Sequence, residues 1–158
     1  MKTMQNSWMR RAIELAVENV RAAKGGPFGA VIVKDGRIIA EGANLVTAAN
    51  DPTAHAEIAA IRAACRSLGR FHLLGCEIYT SCEPCPMCLG AIYWARLEKV
   101  FFGCTRADAA AAGFNDELIY HELETPLADR RLPMVQLMHD HALRAFQAWT
   151  QAEGRVDY

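Results

Sequence analysis

The stretch Ser81-Cys82-Glu83-Pro84-Cys85-Pro86-Met87-Cys88, taken with His55-Ala56-Glu57 upstream, sets the interpretation of the whole chain. Cys85 and Cys88 stand three positions apart, with Pro86 between them. Proline favours the first turn of a helix, and positions three apart share a helix face, so both sulfurs can face one metal ion. The start of a helix also favours thiolate over thiol, and thiolate is the form that binds metal. The sequence therefore predicts a metal site at the start of this helix.

Zinc is the metal that this set of residues favours, with a histidine as the third ligand. Three protein ligands leave a fourth position for water, which is typical of a catalytic rather than a structural zinc site. Glu57 is the carboxylate expected to move protons for that water. A structural site would need a fourth protein ligand, and the sequence leaves Cys82 and Cys104 open as alternatives. We expect one Zn²⁺ per subunit, with the ligands His55, Cys85 and Cys88.

The short spacing between His55 and Glu57 places a condition on this site. In a regular helix, positions 55 and 57 point roughly 200° apart, because a turn takes about 3.6 residues. Proton transfer by Glu57 at the metal therefore requires that His55 stand at the very start of its helix. The positive ends of two helix dipoles would then converge on the metal and its anionic ligands.

Composition and charge limit the classes of function. The chain has 158 residues, which favours a single domain over 1–158. The formal net charge of -1 gives no electrostatic footprint for nucleic acid, and no apolar run approaches the roughly 20 residues of a membrane span. Six cysteines without a secretory signal indicate a reducing compartment. We therefore expect a cytoplasmic protein with no nucleic-acid or membrane partner.

Hydrophobic periodicity and turn signals predict an α/β fold. Asp35-Gly36 between two apolar runs predicts an antiparallel hairpin. The predicted strands are 28–33, 37–42, 76–80, 100–103 and 132–138. The predicted helices are an N-terminal one capped by Asn6 or Ser7, one carrying His55 and capped by Asp51 or Thr53, one from Cys85 to about Arg96, a short one at 107–112, and a terminal one marked by Leu143, Phe146 and Trp149. The result is a three-layer α/β/α sandwich around a mixed five-stranded sheet.

Two motifs carry a resemblance to a known family: Asp51-Pro52-Thr53-Ala54-His55-Ala56-Glu57 and Thr80-Ser81-Cys82-Glu83-Pro84-Cys85-Pro86-Met87-Cys88. With them, the chain resembles the cytidine deaminase-like family of zinc deaminases, whose signature is H-x-E followed by P-C-x-x-C. Within that family it is most similar to the short bacterial guanine deaminases. The segments that favour this branch are Leu89–Ala95, Ala112–Asp116 and the terminal Tyr158.

The resemblance implies a reaction and an assignment of residues. Zinc-bound hydroxide would attack C2 of guanine, and Glu57 would shuttle protons to N3 and to the leaving ammonia, with xanthine as the other product. Phe28 would stack on the ring, and Asn44 would hydrogen-bond its carbonyl side. Asp116 would meet the N–H edge and share the proton transfer. Trp94, on the helix that begins at the metal, is expected in the pocket wall or in the core.

The resemblance also implies a partner. In this family the C-terminal segment is exchanged between two subunits, so a domain-swapped homodimer is expected, with about residues 140–158 exchanged. Tyr158 would close the active site of the other subunit, and Gly154 could provide the bend.

Three other interpretations remain open from the sequence. A tRNA adenosine deaminase shares both motifs, but its substrate needs basic residues for phosphate contact, and the stretch 141–153 offers only Arg144. A cytosine deaminase would fit the zinc signature without the later segments. A zinc-stabilised binding module without catalysis would have no need of Glu57. Activity on other heterocycles with a guanine-like edge, such as aminotriazines, is also left open.

Overall fold

The structure is a computed structural model that describes residues 2–158. Its backbone forms two compact units, of which the first ends at Asp116 and the second comprises Glu117–Tyr158. The first unit contains α1 (Lys2–Arg21), β1 (Gly29–Lys34), β2 (Arg37–Ala43), α2 (Val46–Ala49), α3 (Ala56–Leu68), β3 (Cys76–Cys82), α4 (Pro86–Trp94), β4 (Lys99–Cys104) and α5 (Arg106–Ala111). The second contains α6 (Glu117–Glu124), a 3₁₀ turn (Leu127–Asp129) and α7 (His139–Gln151). None of the described helices has both the length and the apolarity needed to cross a bilayer.

The sheet of the first unit is mixed, with the strand order β2-β1-β3-β4. β1 is antiparallel to β2 and to β3, whereas β3 and β4 are parallel. The predicted hairpin is confirmed, because Asp35 and Gly36 both have the positive φ that a tight two-residue turn requires. The mixed sheet with its antiparallel first hairpin is therefore as predicted.

Helices cover both faces of this sheet. Ala12 of α1 packs on one face against Val31, Val33 and Tyr79, with Trp8 and Met9 at its margin. On the other face, the buried residues of α3 pack with Ile92 of α4 against the strands; the α3 residues are Ala56, Ala60, Ile61 and Ala64. The three-layer α/β/α sandwich is thus confirmed, with α3 and α4 on the same side.

The predicted fifth strand at 132–138 is wrong, since the described residues contain four strands. Pro133 cannot donate to a ladder, and Met138 has a left-handed backbone with φ of 52°. Leu132, Val135 and Leu137 are 73%, 76% and 77% exposed. The apolar pattern that suggested a strand therefore does not pair with an edge within this chain.

Two predicted helix caps are also wrong. Ser7 lies inside α1, where its hydroxyl donates to the carbonyl of Met4 at 2.7 Å. Asp51 accepts from the backbone N–H and the hydroxyl of Thr53, which makes a local turn rather than a cap. The N-cap of α3 is instead His55, and Gly69 closes that helix with a left-handed backbone, as the sequence predicts.

Gly42 sets how closely α3 approaches β2, and this gives a first testable prediction. A Cβ at this position would overlap the carbonyl oxygen of Ala56 and lie 2.6 Å from the amide nitrogen of Ala60. Gly42→Ala must push α3 from the sheet, and we expect a loss of about 1–3 kcal/mol in the free energy of unfolding. Denaturant-induced unfolding of the variant and of the wild type measures this difference in the free energy of unfolding. Gly90→Ala is the matched control, because its Cβ meets no atom within 4 Å; equal stability of the two variants would contradict the prediction.

Candidate active site

Three predicted metal ligands converge at the starts of two helices. His55 is the N-cap of α3 and Cys85 the N-cap of α4, both with extended backbone, and Pro86 opens α4. His55 Nδ1 lies 3.6 Å from Cys85 Sγ and 3.4 Å from Cys88 Sγ. Ligand atoms of all three residues lie within 4.8 Å of one another, and this is the one such group found among the described residues.

The donor set of this group suits zinc. Two sulfurs and an imidazole nitrogen at tetrahedral zinc would be separated by about 3.5–3.8 Å, given Zn–S and Zn–N distances of about 2.3 and 2.0 Å. The observed N–S separations of 3.4 and 3.6 Å are close to that geometry. The alternative fourth ligands do not join the group: Cys82 directs its sulfur to the carbonyl of Thr105 at 3.5 Å, and Cys104 is exposed. The described residues thus fit one zinc ion with three protein ligands.

The protonation of the cysteine pair also suits a cation. The Cys88 thiol donates to Cys85, and this hydrogen bond lowers the pKa of Cys85 to about 4 and raises the pKa of Cys88. The hydrogen bond with Cys85 likewise raises the pKa of His55. A dication at this place would favour the thiolate at both sulfurs.

Glu57 lies beside this group, in the first turn of α3. The residue is 6% exposed, and burial raises the pKa of its carboxyl. Because His55 is the N-cap and not a helical residue, the 200° separation of a regular helix does not apply to this pair. The condition that the sequence placed on the site is therefore met, and a buried carboxyl of raised pKa suits a group that takes up and releases a proton.

A cavity of about 310 Å³ opens over these residues and is large enough for one planar base. Its lining includes four of the predicted functional residues outside the metal group: Phe28, Asn44, Glu57 and Asp116. His55 and Cys85 also face it. The edge of the Phe114 ring meets the Phe28 ring, with centroids 4.9 Å apart and planes at 85°. The ring pair forms an apolar wall next to the metal group.

The Asn44 amide is oriented by the backbone around it. Its Oδ1 accepts from the amides of Gly26 and Val46 at 3.2 and 3.3 Å. Since both partners can only donate, the oxygen of the side chain must face them. The amino group, Nδ2, is then the atom that can donate to a ligand in the cavity.

Two predicted substrate-binding residues are not placed in this cavity. Trp94 ends α4, nine residues beyond Cys85; it is 69% exposed and does not line the cavity of this chain, so its part in substrate binding stays a prediction. Tyr158 belongs to the second unit, is 72% exposed, and has its ring 6.3 Å from that of Trp149. Its role stays a prediction.

Several lining residues were missed by the sequence reasoning, namely Val46, Thr47, Glu83, Arg106, Ala109, Phe114 and Asn115. Most come from α2 and from the surroundings of α5. Thr105 and Asp108 form a capping box that fixes the start of α5, and the backbone of Arg106 donates to Glu83 at 3.0 Å. The T-x-x-D pattern of the box was a local signal for the start of α5.

Comparisons with known proteins agree with the geometry. Residues 2–104 match the family described as the cytidine and deoxycytidylate deaminase zinc-binding region. The guanine deaminase of Bacillus subtilis is 55% identical over 152 residues, covering 96% of this chain and 97% of that protein. An X-ray structure of guanine deaminase from Bacillus subtilis superposes with a TM-score of 0.94 over 97% of this chain and 98% of that chain.

More distant relatives match a smaller part. The tRNA-specific adenosine deaminase of Haemophilus influenzae is 42% identical over 122 residues, covering 73% of this chain and 70% of that protein. The similarity to guanine deaminase thus extends through the second unit, as the later sequence segments indicated. The chain belongs to the cytidine and deoxycytidylate deaminase family of zinc-binding proteins, and within it to the guanine deaminases.

Proposed function

We propose that this protein hydrolyses guanine to xanthine and ammonia. The observation that carries the proposal is the grouping of His55, Cys85 and Cys88 at a cavity of base size that His55, Cys85 and the buried Glu57 line. The similarity to guanine deaminase over nearly the full length selects guanine from among the substrates that such a site can serve. The enzyme would act in purine salvage or catabolism, and the six free cysteines agree with a cytoplasmic location.

The chain's own residues supply the proton transfers. Bound zinc supplies Lewis acidity that lowers the pKa of a water molecule. Glu57 takes a proton from the attacking water while the oxygen of that water bonds to C2 of guanine. The same carboxyl delivers that proton to N3, then takes the remaining proton of the hydroxyl on C2 and passes it to the amino group, so that the C2–N bond breaks, ammonia leaves and the C2 carbonyl of xanthine forms. The raised pKa of Glu57 suits this exchange at neutral pH.

Three side chains of the cavity wall fit the faces and edges of guanine. Phe28, held by the edge contact with Phe114, offers a face for stacking. Asn44 Nδ2 donates to the carbonyl side of the base. Asp116 accepts from N1–H and from the 2-amino group, and it can share the proton transfer. Adenine presents an acceptor at N1, so a carboxylate there selects guanine.

Ammonia release from a panel of bases tests the proposal. The panel contains guanine, adenine, cytosine, their nucleosides and an anticodon-stem RNA that carries adenosine, with zinc content measured in the same preparation. We expect guanine to be the preferred substrate by kcat/KM and xanthine to be formed in equal amount to ammonia. Preferred release from the RNA or from cytosine would overturn the assignment in favour of the corresponding relative. Aminotriazines added to the panel test the breadth of the site.

We further propose that the protein acts as a domain-swapped homodimer in which the C-terminal segment of about residues 140–158 is exchanged. The compact unit from Glu117 to Tyr158 exposes large apolar side chains that a partner could cover, among them Leu132, Val135, Leu137 and Phe146. The edge strand β4 also leaves Phe102 47% exposed. In the exchanged arrangement Tyr158 closes the partner's cavity and excludes water from it.

Mixed dimers give a sharp prediction for the exchanged tail. A chain truncated after Gly154 lacks the closing residue, and a Glu57→Gln chain lacks the proton shuttle, so each alone is expected to be nearly inactive. When the two are co-expressed, the tail of the Glu57→Gln chain can close a cavity that still has Glu57. Random pairing makes half of the dimers mixed with one complete site each, so about one quarter of the wild-type activity should return.

The control replaces the Glu57→Gln chain by one that carries both changes, which leaves no complete site in any dimer. Restored activity in the first mixture and none in the control would support the exchange. Mixed dimers without restored activity, or a truncated chain with unchanged turnover and guanine affinity, would remove the tail from the mechanism.

A further inference from the structure

Asn19 is a buried polar residue that the reaction itself does not use. It lies near the end of α1 and is 4% exposed. Its Nδ2 donates to the carbonyl of Gly26 at 2.9 Å and to the carbonyl of Asn44 at 2.7 Å. Because both partners can only accept, the atom that faces them must be the amide nitrogen, and both of its hydrogens are in use.

Both hydrogen bonds of Asn19 restrain Asn44, one directly and one through Gly26. One holds the backbone of Asn44 directly. The other holds Gly26, whose own N–H donates to Asn44 Oδ1. The two segments pass so closely that a Cβ at Gly25 would overlap the carbonyl oxygen of Asn44. A single buried amide on α1 therefore fixes both the main chain and the side-chain rotamer of Asn44.

Asn19 also reaches the aromatic wall of the cavity. The Gly26 carbonyl that it binds also accepts from the amide of Phe28 at 2.9 Å, and the Phe28 carbonyl accepts from the amide of Asn44 at 3.1 Å. A Cβ at Gly26 would lie 3.3 Å from the Phe28 ring and 3.4 Å from that of Phe114. The loop around Gly26, which Asn19 holds by a hydrogen bond, thus lies directly behind the Phe28 ring that is predicted to stack on the base.

We propose that Asn19 is a positioning residue for substrate recognition, which holds the Asn44 amide so that Nδ2 faces the base. The inference rests on the proposed function, since it takes Asn44 as the donor to the carbonyl side of guanine. Asn19 does not reach the proton-transfer group, so its loss should affect the binding of guanine rather than the reaction of bound guanine.

Steady-state kinetics of the zinc-loaded full-length enzyme test the proposal. Asn19→Ala and Asn19→Asp both remove the donor, and the second also places a carboxylate against two carbonyl oxygens. We expect the KM for guanine to rise on the order of tenfold or more, with kcat within about threefold of wild type. Calorimetric binding of guanine in a Glu57→Gln background, where turnover is blocked, should show the same loss of affinity.

A double-mutant cycle and a matched control separate positioning from loss of fold. In an Asn44→Ala background, Asn19→Ala should raise the KM little further, because the residue that it positions is gone. Ala12→Gly weakens the same helix at a fully buried site without removing a hydrogen bond to Gly26 or Asn44, and it should lower the melting temperature without raising the KM. A change in KM for Ala12→Gly equal to that for Asn19→Ala would overturn the proposal.

Wild-type activity and the KM of the Asn19 variants test two different claims. If wild-type enzyme does not deaminate guanine, the function itself is wrong. If wild-type enzyme does so and either Asn19 variant keeps the wild-type KM, or if the two substitutions add fully in the cycle, Asn19 has no positioning role while the function stands.

Discussion

Replacing Glu57 by glutamine is expected to lower kcat for guanine by about 10²–10⁴-fold while the protein keeps its zinc. Glutamine has nearly the same shape and can hydrogen-bond, but it cannot take a proton from water or return one to N3. Glu57 is 6% exposed, lies beside the metal group and lines the cavity, so the substitution removes a buried carboxyl from the site of proton transfer. Guanine binding should survive, because the recognition contacts come from other residues.

Two companion variants sharpen this experiment. Glu57→Asp keeps a carboxyl that is one methylene shorter, so it should keep part of the activity. Glu14→Gln makes the same chemical change on the exposed face of α1 and should leave turnover unchanged. Metal analysis by mass spectrometry accompanies each assay. A Glu57→Gln enzyme that holds zinc and turns over guanine within tenfold of wild type would remove the proton shuttle and favour the interpretation of a zinc-stabilised binding module.

Replacing Cys85 or Cys88 by serine is expected to abolish both zinc binding and activity. Each serine removes one thiolate from a site of three protein ligands, and the remaining pair holds zinc poorly. Lewis-acid catalysis contributes several kcal/mol, so the expected loss in kcat is about a thousandfold or more. Because the zinc site joins α3 to α4, the free energy of unfolding should fall as well.

The other cysteines provide the controls for this prediction. Cys65→Ser alters a half-buried thiol on α3, and Cys104→Ser removes an exposed thiol that the sequence left open as a fourth ligand. Both variants should keep one zinc per chain and most of the activity. Removal of zinc from the wild type with a chelator should reproduce the loss, and added zinc should restore the activity. Full zinc content in both the Cys85→Ser and the Cys88→Ser variants would contradict the assignment.

The metal site was predictable from sequence because its rules are local. Cys85 and Cys88 share a helix face by their spacing, and Pro86 marks the first turn. The cap of α3 was harder, since Asp51 and Thr53 are both good capping residues and instead bond to each other. That choice depends on how the preceding loop turns, which no short pattern in the sequence specifies.

Long-range features were beyond the sequence reasoning for the same reason. Phe114 contacts Phe28 although more than eighty residues separate them in the sequence. The contact depends on how α5 packs next to the sheet. The hydrogen bonds of Asn19 to Gly26 and Asn44 likewise depend on where α1 ends. The stretch at 132–138 has a strand-like pattern, yet a strand also needs an edge with which to pair. Apolar alternation alone does not indicate whether the sheet edge that would pair with this stretch belongs to the same chain.

X-ray absorption spectroscopy at the zinc edge tests the central claim most directly. The three side chains that meet at the helix starts should give two sulfurs at about 2.3 Å and two light atoms at about 2.0–2.1 Å, one from His55 and one from solvent. The light-atom shell should change when guanine is added to the Glu57→Gln protein. A shell of three or four sulfurs, which would bring in Cys82 or Cys104, would make the site structural and contradict the catalytic account.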